Sequence, residues 1–430
     1  MAAVTVQEGL AARLERLLDP GSVERGRARP DGAELPLAAP ASEEQASELV
    51  RFAAREALAV VPIGLGSKLG WCRPAVRADF LLSTRRLTGI VRHVPEDGTL
   101  SARAGTPMEA LRRAAREGGH FLTPDVPRPE RATLGGVLAA GQSGADRLRF
   151  GPARHHVLGT RVLLGDGSFA KSGGQLVKNV TGFDLHRLHC GSHGSLCVVL
   201  EAALRLFPEP EHERVVASGA ADRDRALELA RSALALPIRP VSLTLVRSEG
   251  ETSGAAWRLQ ARLFGRRAPV ELEGAELLRI WPSAEVVEGA AAREAAERQR
   301  DAAFTWEDGP WLRATCSTSR LGDVIARLED ELPRELAPRL VAGPGIAEVA
   351  VLLRPEAFES ARVLGERAAA LRRALAPLGA RTELRDAPAE ALEELNPFGD
   401  PPAGLEIMRR LQERLDPGRV FVRGRFAAGL

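Results

Sequence analysis

Gly64-Leu65-Gly66-Ser67-Lys68-Leu69-Gly70, entered directly from the apolar run 57–63, is the stretch whose reading decides the fold. A short apolar run bounded by glycine reads as a buried strand, and the glycines after it let the chain turn sharply with its N–H groups exposed. A Rossmann turn would need its third glycine three residues after Gly66 and a helix to follow. Here the next glycine is four residues on, and Pro74 stops the helix. A P-loop would need glycine before the lysine, but Ser67 stands there. What remains is a glycine-rich turn with Ser67 and Lys68 beside it, suited to a diphosphate as a backbone nest is; an ordinary tight turn is the alternative.

Working outward, Thr133-Leu-Gly135-Gly136, followed by Ser143-Gly144, could open a helix whose first turn lacks side chains, so that a phosphate or a ring could lie against backbone amides. A third stretch runs from Lys178-Asn-Val-Thr-Gly182-Phe183-Asp184 to Gly191-Ser-His-Gly194-Ser-Leu-Cys-Val198. It joins a short helix to a strand. Of 42 glycines, 21 lie between Gly64 and Gly194, and all three lysines, Lys68, Lys171 and Lys178, lie there too. With 56 arginines in the chain to carry positive charge, the three lysines read either as chance survivors of a codon bias or as positions that need an ammonium.

Around these clusters the pattern is α+β. A surface helix is expected over 6–18. Ser42-Glu-Glu-Gln45 is a capping box opening a helix after a strand at 35–39. Hairpins are expected at 89–104 and 157–170, and Thr106-Pro107-Met-Glu109 reads as a helix start with Thr106 as the cap. Pro208-Glu-Pro210 is a plausible linker. Beyond it, strands at 213–218, 240–247, 256–264 and 284–288 alternate with helices, and the order repeats from 311 to 386. Two β-α-β-β-α-β units imply an antiparallel sheet with helices on one side. Val420-Phe421-Val422 is a strand that could return to the first half.

The run from Pro62 to Pro208 resembles the FAD-binding domain of the vanillyl-alcohol oxidase and p-cresol methylhydroxylase family, and within it the FAD-binding subunits of bacterial glycolate oxidases. The resemblance rests on 64–68, 132–136 with Ser143-Gly144, 178–184 and 191–196, in the family's order, and on Leu-Asp-Pro-Gly-Arg-Val-Phe at 415–421. Trp311-Leu-Arg313 is the best match in the second half. It implies that Gly64, Gly66, Ser67, Lys68 and Leu69 line an FAD diphosphate. It further implies that Thr133, Gly135, Gly136, Ser143 and Gly144 lie along phosphates, ribityl and flavin, and that backbone near Val198 meets the isoalloxazine edge. Phe183 replaces the family's usual tyrosine, and His155 replaces a common aspartate. The attachment histidine of the loop is absent, so the FAD is expected to be noncovalent.

The resemblance implies a fold of a two-subdomain FAD-binding domain at 30–210, preceded by a helical extension at 1–29, with a cap domain at 211–386 and a segment at 387–430 that returns to the first domain. Related 2-hydroxy-acid dehydrogenases carry a histidine-rich motif in the cap. All eight histidines here lie at or before His212, tyrosine is absent, and Ala342-Gly-Pro-Gly-Ile346 occupies that region. No catalytic residue can be named from the sequence. The chain therefore reads as the accessory flavin subunit of a complex oxidising glycolate or a similar 2-hydroxy acid. Its expected partners are a homologous catalytic flavoprotein subunit and an iron–sulfur subunit. A self-sufficient FAD oxidase or dehydrogenase is the alternative, and a scaffold that has lost its flavin a third.

Composition excludes other classes. A net charge of +2 offers no field for nucleic acid or an anionic membrane. No basic leader or long apolar span is present, so a cytoplasmic protein is expected, associated with membranes at most peripherally through partners. Cysteines 72, 190, 197 and 316 form no CxxC pair, and neither they nor the His186/His189/His193 spacing encodes a metal site. Gly141-Gln-Ser143-Gly144-Ala145 lacks the last glycine of a nucleophile elbow.

Overall fold

A computed structural model describes residues 2–27, 34–75, 77–175, 183–247, 256–281, 283–301, 309–332, 339–392 and 395–430. The expected motif segment 178–182 lies outside the described residues. Helix α1 (Ala2–Glu15) leads into β1 (Val23–Arg27), which pairs antiparallel with β2 (Glu34–Ala38). Helix α2 (Glu43–Arg55) then crosses to β3 (Val60–Ile63), and β4 (Phe80–Ser83) inserts between β2 and β3, parallel to both. Ser42 caps α2 by accepting from Gln45 N, while Gln45 Oε1 accepts from Ala41 N, one residue earlier than the expected box would have it. Leu49, Val50 and Ala53 of α2 are wholly buried against Phe80 and Leu82, each large aliphatic side chain contributing about 1.5–3 kcal/mol.

The expected surface helix is not a surface element throughout: Leu14 is wholly buried in this same core, because β1 and the turn before it fold α1 back over the sheet. The second sheet is antiparallel, in the order β5 (Ile90–Val94), β6 (Thr99–Arg103), β10 (Val198–Arg205), β8 (Val157–Leu163), β9 (Phe169–Gly173), and it contains both expected hairpins. Helices α3 (Met108–Glu117) and α4 (Leu134–Ala140) bury Met108, Leu111, Leu134 and Val137 against Leu100, Ala102 and Leu204 of its strands. Helix α3 is capped by Pro107; Thr106 instead exchanges hydrogen bonds with the backbone of Gly89, which costs it the expected role. Short helices α5 (Arg147–Phe150) and α6 (Leu185–His189) follow, and β7 (His120–Phe121) pairs with β11 (Phe207–Pro208).

The third sheet has eight strands between His212 and Arg385. Strands β12 (His212–Ala220), β13 (Ser242–Arg247), β14 (Trp257–Gly265) and β15 (Glu285–Glu288) stand in the order β15-β12-β14-β13. Strands β16 (Trp311–Thr315), β17 (Leu340–Gly343), β18 (Glu348–Leu352) and β19 (Arg381–Arg385) repeat it in mirror order, β17-β18-β16-β19. The two units join edge to edge where β13 pairs antiparallel with β17. Period-two alternation sets the two faces. Leu243, Leu245, Leu312, Val349 and Leu384 pack under α7 (Arg223–Ala235), α8 (Arg267–Ile280), α10 (Leu321–Glu331) and α11 (Ala361–Leu375). Thr244, Arg262, Arg313, Glu348 and Arg385 face the other way, towards the first two sheets. Helix α9 (Gly289–Asp301) lies on that polar side, where Gln299 bonds Thr244 and Gln260.

After α12 (Leu405–Leu415) the chain returns to the first sheet: Phe421 bridges Val60 in parallel, with Val60 N donating to Val420 O at 2.7 Å. The wholly buried Asp416 accepts from Val420 N and Phe421 N at 2.8 and 3.0 Å.

Candidate functional site

Two cavities are lined by α4 and by the residues that follow it. The first gathers Gly64, Gly66, Ser67, Lys68, Leu69, Thr133, Gly135, Gly136 and Val198, nine of the positions singled out from the sequence. Ser143 and Gly144 are not among its walls. They line the second, larger cavity, between the loop after α4 and the polar face of the eight-stranded sheet. Helix α4 therefore presents Gly135, Gly136, Ala139 and Ala140 to the first cavity, and the residues after its end, 141–145, to the second.

The glycine loop is held from below: Ser83 Oγ donates to Gly64 O at 3.1 Å and Thr84 Oγ1 to Ile63 O at 3.3 Å. Gly66 takes φ +83°, which glycine adopts without strain. A Cβ on Gly64 would lie 2.0 Å from Thr133 Oγ1, so loop and helix start touch through a missing side chain. Thr133 caps α4 by accepting from Gly136 N. A Cβ on Gly136 would meet only that hydroxyl, at 3.0 Å, and otherwise the cavity. Gly135 lines the cavity with its backbone, while a Cβ on it would point away and lie 2.8 Å from that of Ala104, so this glycine also lets α4 pack on the strand end.

The charges of the first cavity suit an anion. Among its described lining residues there is no aspartate or glutamate, whereas Lys68 and Arg425 are cationic. Lys68 Nζ donates to Ser67 Oγ at 2.9 Å, and burial pulls its pKa down to about 8 against the opposing charge of Asp386. Sequence reasoning missed His193, read as surface or structural. It lines this cavity at φ +52°, with Nδ1 3.5 Å from Cys72 Sγ and its ring packed on Phe398 and Phe426. Only its place next to Gly194 could have flagged it. His186 and His189 are buried partners of Ser172 and Thr160, and burial holds His189 down to about 4.

In the second cavity, Ser143 Oγ accepts from Ala153 N, and a Cβ on Gly144 would lie 2.0 Å from Asp125 O, so both positions also hold the loop together. The sheet contributes an ion ladder. Glu348 Oε2 accepts from Arg147 and Arg313, 2.5 Å and 2.6 Å away, and Glu383 accepts from Arg313 at 3.2 Å and from Arg385 at 2.6 Å. These guanidinium groups hold Glu383 at about 2 and Glu348 below the usual carboxylate range, overcoming their burial. Arg385 lies 3.8 Å from the ring centre of Trp71, which stands edge-on to Trp311. Asp146 behaves oppositely: burial, with Asp125 nearby, pushes it up to about 6 even though Arg262 is 2.7 Å away. Among the described residues of this cavity there is no histidine, tyrosine or lysine.

Residues 35–173, about a third of the chain, match the model of a family described as an FAD binding domain. D-2-hydroxyglutarate dehydrogenase of Xanthomonas citri pv. viticola is 34% identical over 279 residues, 63% of this chain and 54% of that protein. Glycolate oxidase subunit GlcE of Escherichia coli is 37% identical over 164 residues, 38% of this chain and 46% of that protein. The chain spans about half the length of the curated relatives it matches. An alkyldihydroxyacetonephosphate synthase structure superposes with a TM-score of 0.66 at 16% identity, over 90% of this chain and 76% of that one, a likeness of fold. Among the described residues, no helix is long and apolar enough to cross a membrane.

Proposed function

We propose that this chain is the accessory flavin subunit of a complex that oxidises glycolate or a similar 2-hydroxy acid and passes electrons to an iron–sulfur partner. One observation carries FAD placement: a cavity along α4 is lined by the cations Lys68 and Arg425 and, among the described residues, by no carboxylate, and a larger cavity is lined by the residues just after that helix. Lys68, Ser67 and the amides about Gly66 would hold the diphosphate, with Gly136 leaving room beside it. Val198 and the turn after α4 would border the flavin end, and nothing in the loop from Gly64 to Leu69 offers an attachment atom, so the FAD is noncovalent. Bound FAD supplies a two-electron acceptor able to take a hydride.

Such an oxidation also needs an acceptor for the hydroxyl proton, best with a pKa near neutrality. The sheet facing the second cavity provides arginines, which stay protonated, and Glu348, which its arginines keep ionised and weakly basic. That the described residues on this sheet face offer no group with a pKa near neutrality supports the subunit reading, as does the relative named as a subunit, glycolate oxidase subunit GlcE. A homologous catalytic flavoprotein would then be the second partner, and the complex would work in the cytoplasm.

The self-sufficient reading draws on Asp146, the one described carboxyl of this cavity that burial moves towards neutrality. The relative named D-2-hydroxyglutarate dehydrogenase points the same way. Anaerobic stopped-flow mixing with glycolate and with D-lactate separates the two. The subunit reading expects no useful bleaching of the flavin band in the FAD-loaded chain alone, and bleaching once a homologous catalytic subunit is added. Rapid bleaching in the single chain establishes the alternative.

A further inference from the structure

Asp386 stands one residue past β19, in a left-handed backbone conformation at φ 54°, and from there reaches the glycine loop several ways. Its N–H donates to Gly70 O at 2.9 Å. Its Oδ2 accepts from Nε1 of Trp71 at 3.2 Å and from Nε1 of Trp311 at 3.0 Å. A Cβ on Gly70 would lie 2.3 Å from Asp386 Oδ1, so the loop comes this close only because residue 70 is glycine. A carboxylate from the cap sheet is thus built into the far end of the turn that begins at Gly64.

The same carboxylate acts on Lys68, whose ammonium otherwise has the neutral Ser67 hydroxyl at 2.9 Å. Other charged or titratable groups around this ammonium are Arg425 from the C-terminal segment, Cys72 from its own loop and His193 from the turn before β10, all on the same cavity. Arg385, beside Asp386, lies over Trp71.

We propose that Asp386 is a positioning residue of the cofactor site: from the cap it clamps the loop 64–71 and supplies the counter-charge for the Lys68 ammonium that faces the FAD diphosphate. The proposal rests on reading the first cavity as the diphosphate site. It makes cofactor affinity depend on a residue more than 300 positions away from the loop, and so couples FAD loading to the placement of the cap.

The sign of the effect follows from linkage. FAD favours charged Lys68, so wild-type affinity falls as pH rises through about 8, where the free protein's Lys68 gives up its proton. Asp386→Asn keeps an oxygen for the two indoles and removes the charge, so the fall begins at lower pH. Near pH 6 Lys68 is charged in both proteins, and the variant lacks a carboxylate that repels the diphosphate. There it binds FAD at least as tightly as wild type. The two affinity curves cross, whereas loss of a merely structural contact would weaken binding alike at every pH.

The test is FAD affinity of the stripped full-length chain, read by flavin fluorescence from pH 6 to 9. Asp386→Asn is expected to bind about fivefold or more weakly at pH 8.5 and no more weakly at pH 6. Trp71→Phe, which keeps the carboxylate, should retain the wild-type pH dependence. Lys68→Arg should flatten it, since a guanidinium does not titrate there. Should Asp386→Asn fail to fold by circular dichroism, Asp386→Ser carries the same expectation. An Asp386 variant whose curve runs parallel to wild type overturns the positioning role. Lys68→Ala with undiminished FAD affinity overturns the placement of the diphosphate itself, and the proposal with it.

Discussion

Asp146, in the turn after α4, and Arg262, on the polar face of β14, form an ion pair at 2.7 Å that ties the FAD-binding half to the cap sheet. Arg262 continues it to the buried Glu213, whose carboxylate accepts from Nε at 2.6 Å. Asp146→Ala would leave Arg262 with half of its counter-charge in a desolvated place. A loss of at least about 2 kcal/mol is expected, and a smaller one for Asp146→Asn, which keeps an acceptor. Urea unfolding of the three proteins measures it, and equal midpoints would show that the pair carries no stability.

Two neighbouring glycines should answer differently to the same substitution. Gly135→Val drives its side chain into Ala104 and should cost about 1–3 kcal/mol of stability. Gly136→Val points into the first cavity and should give folded protein with little FAD. Flavin absorbance per chain, read beside urea midpoints, separates the two effects. Full flavin content in Gly136→Val would place the cofactor elsewhere.

The noncovalent assignment has a direct check, made more pointed by Cys72 and His193 on the cavity wall. Acid precipitation should release all yellow colour into the supernatant. Flavin retained in the pellet would locate an attachment, with those two residues first to be replaced.

His189, buried with Thr160 Oγ1 2.8 Å from its Nδ1, should set part of the acid limit of stability. Burial lowers its pKa to about 4, whereas the unfolded chain takes up the proton near the ordinary histidine value. The unfolded state therefore binds more protons between these values, and stability falls as pH drops from about 6.5 towards 4, by up to about 3 kcal/mol. His189→Gln should flatten that limb in urea titrations at pH 7 and pH 4.5. An unchanged slope would assign the acid limit to other groups.

Much of this architecture was legible because it is written in local periods. The apolar runs that become β3 and β10, the cap of α2, and the alternation that separates Leu243 from Thr244 or Leu312 from Arg313 each need only a few consecutive residues, since strand and helix geometry repeat over two residues and 3.6 residues. The glycine loop and Thr133 likewise announced themselves, because glycine is required where backbone meets backbone or turns with positive φ. Strand β1 escaped because Val-Glu-Arg-Gly-Arg has no apolar alternation; its pairing with β2 supplies what its side chains do not. Tertiary structure alone decided the division of the expected site between two cavities, the packing role of Gly135, the place of His193, and the meeting of Asp386 with Trp71 across 315 positions. Each of these depends on which surfaces touch after the chain has folded, and a side chain's charge and hydrogen-bond partners there are set by burial and distance in space, quantities that spacing along the sequence does not contain.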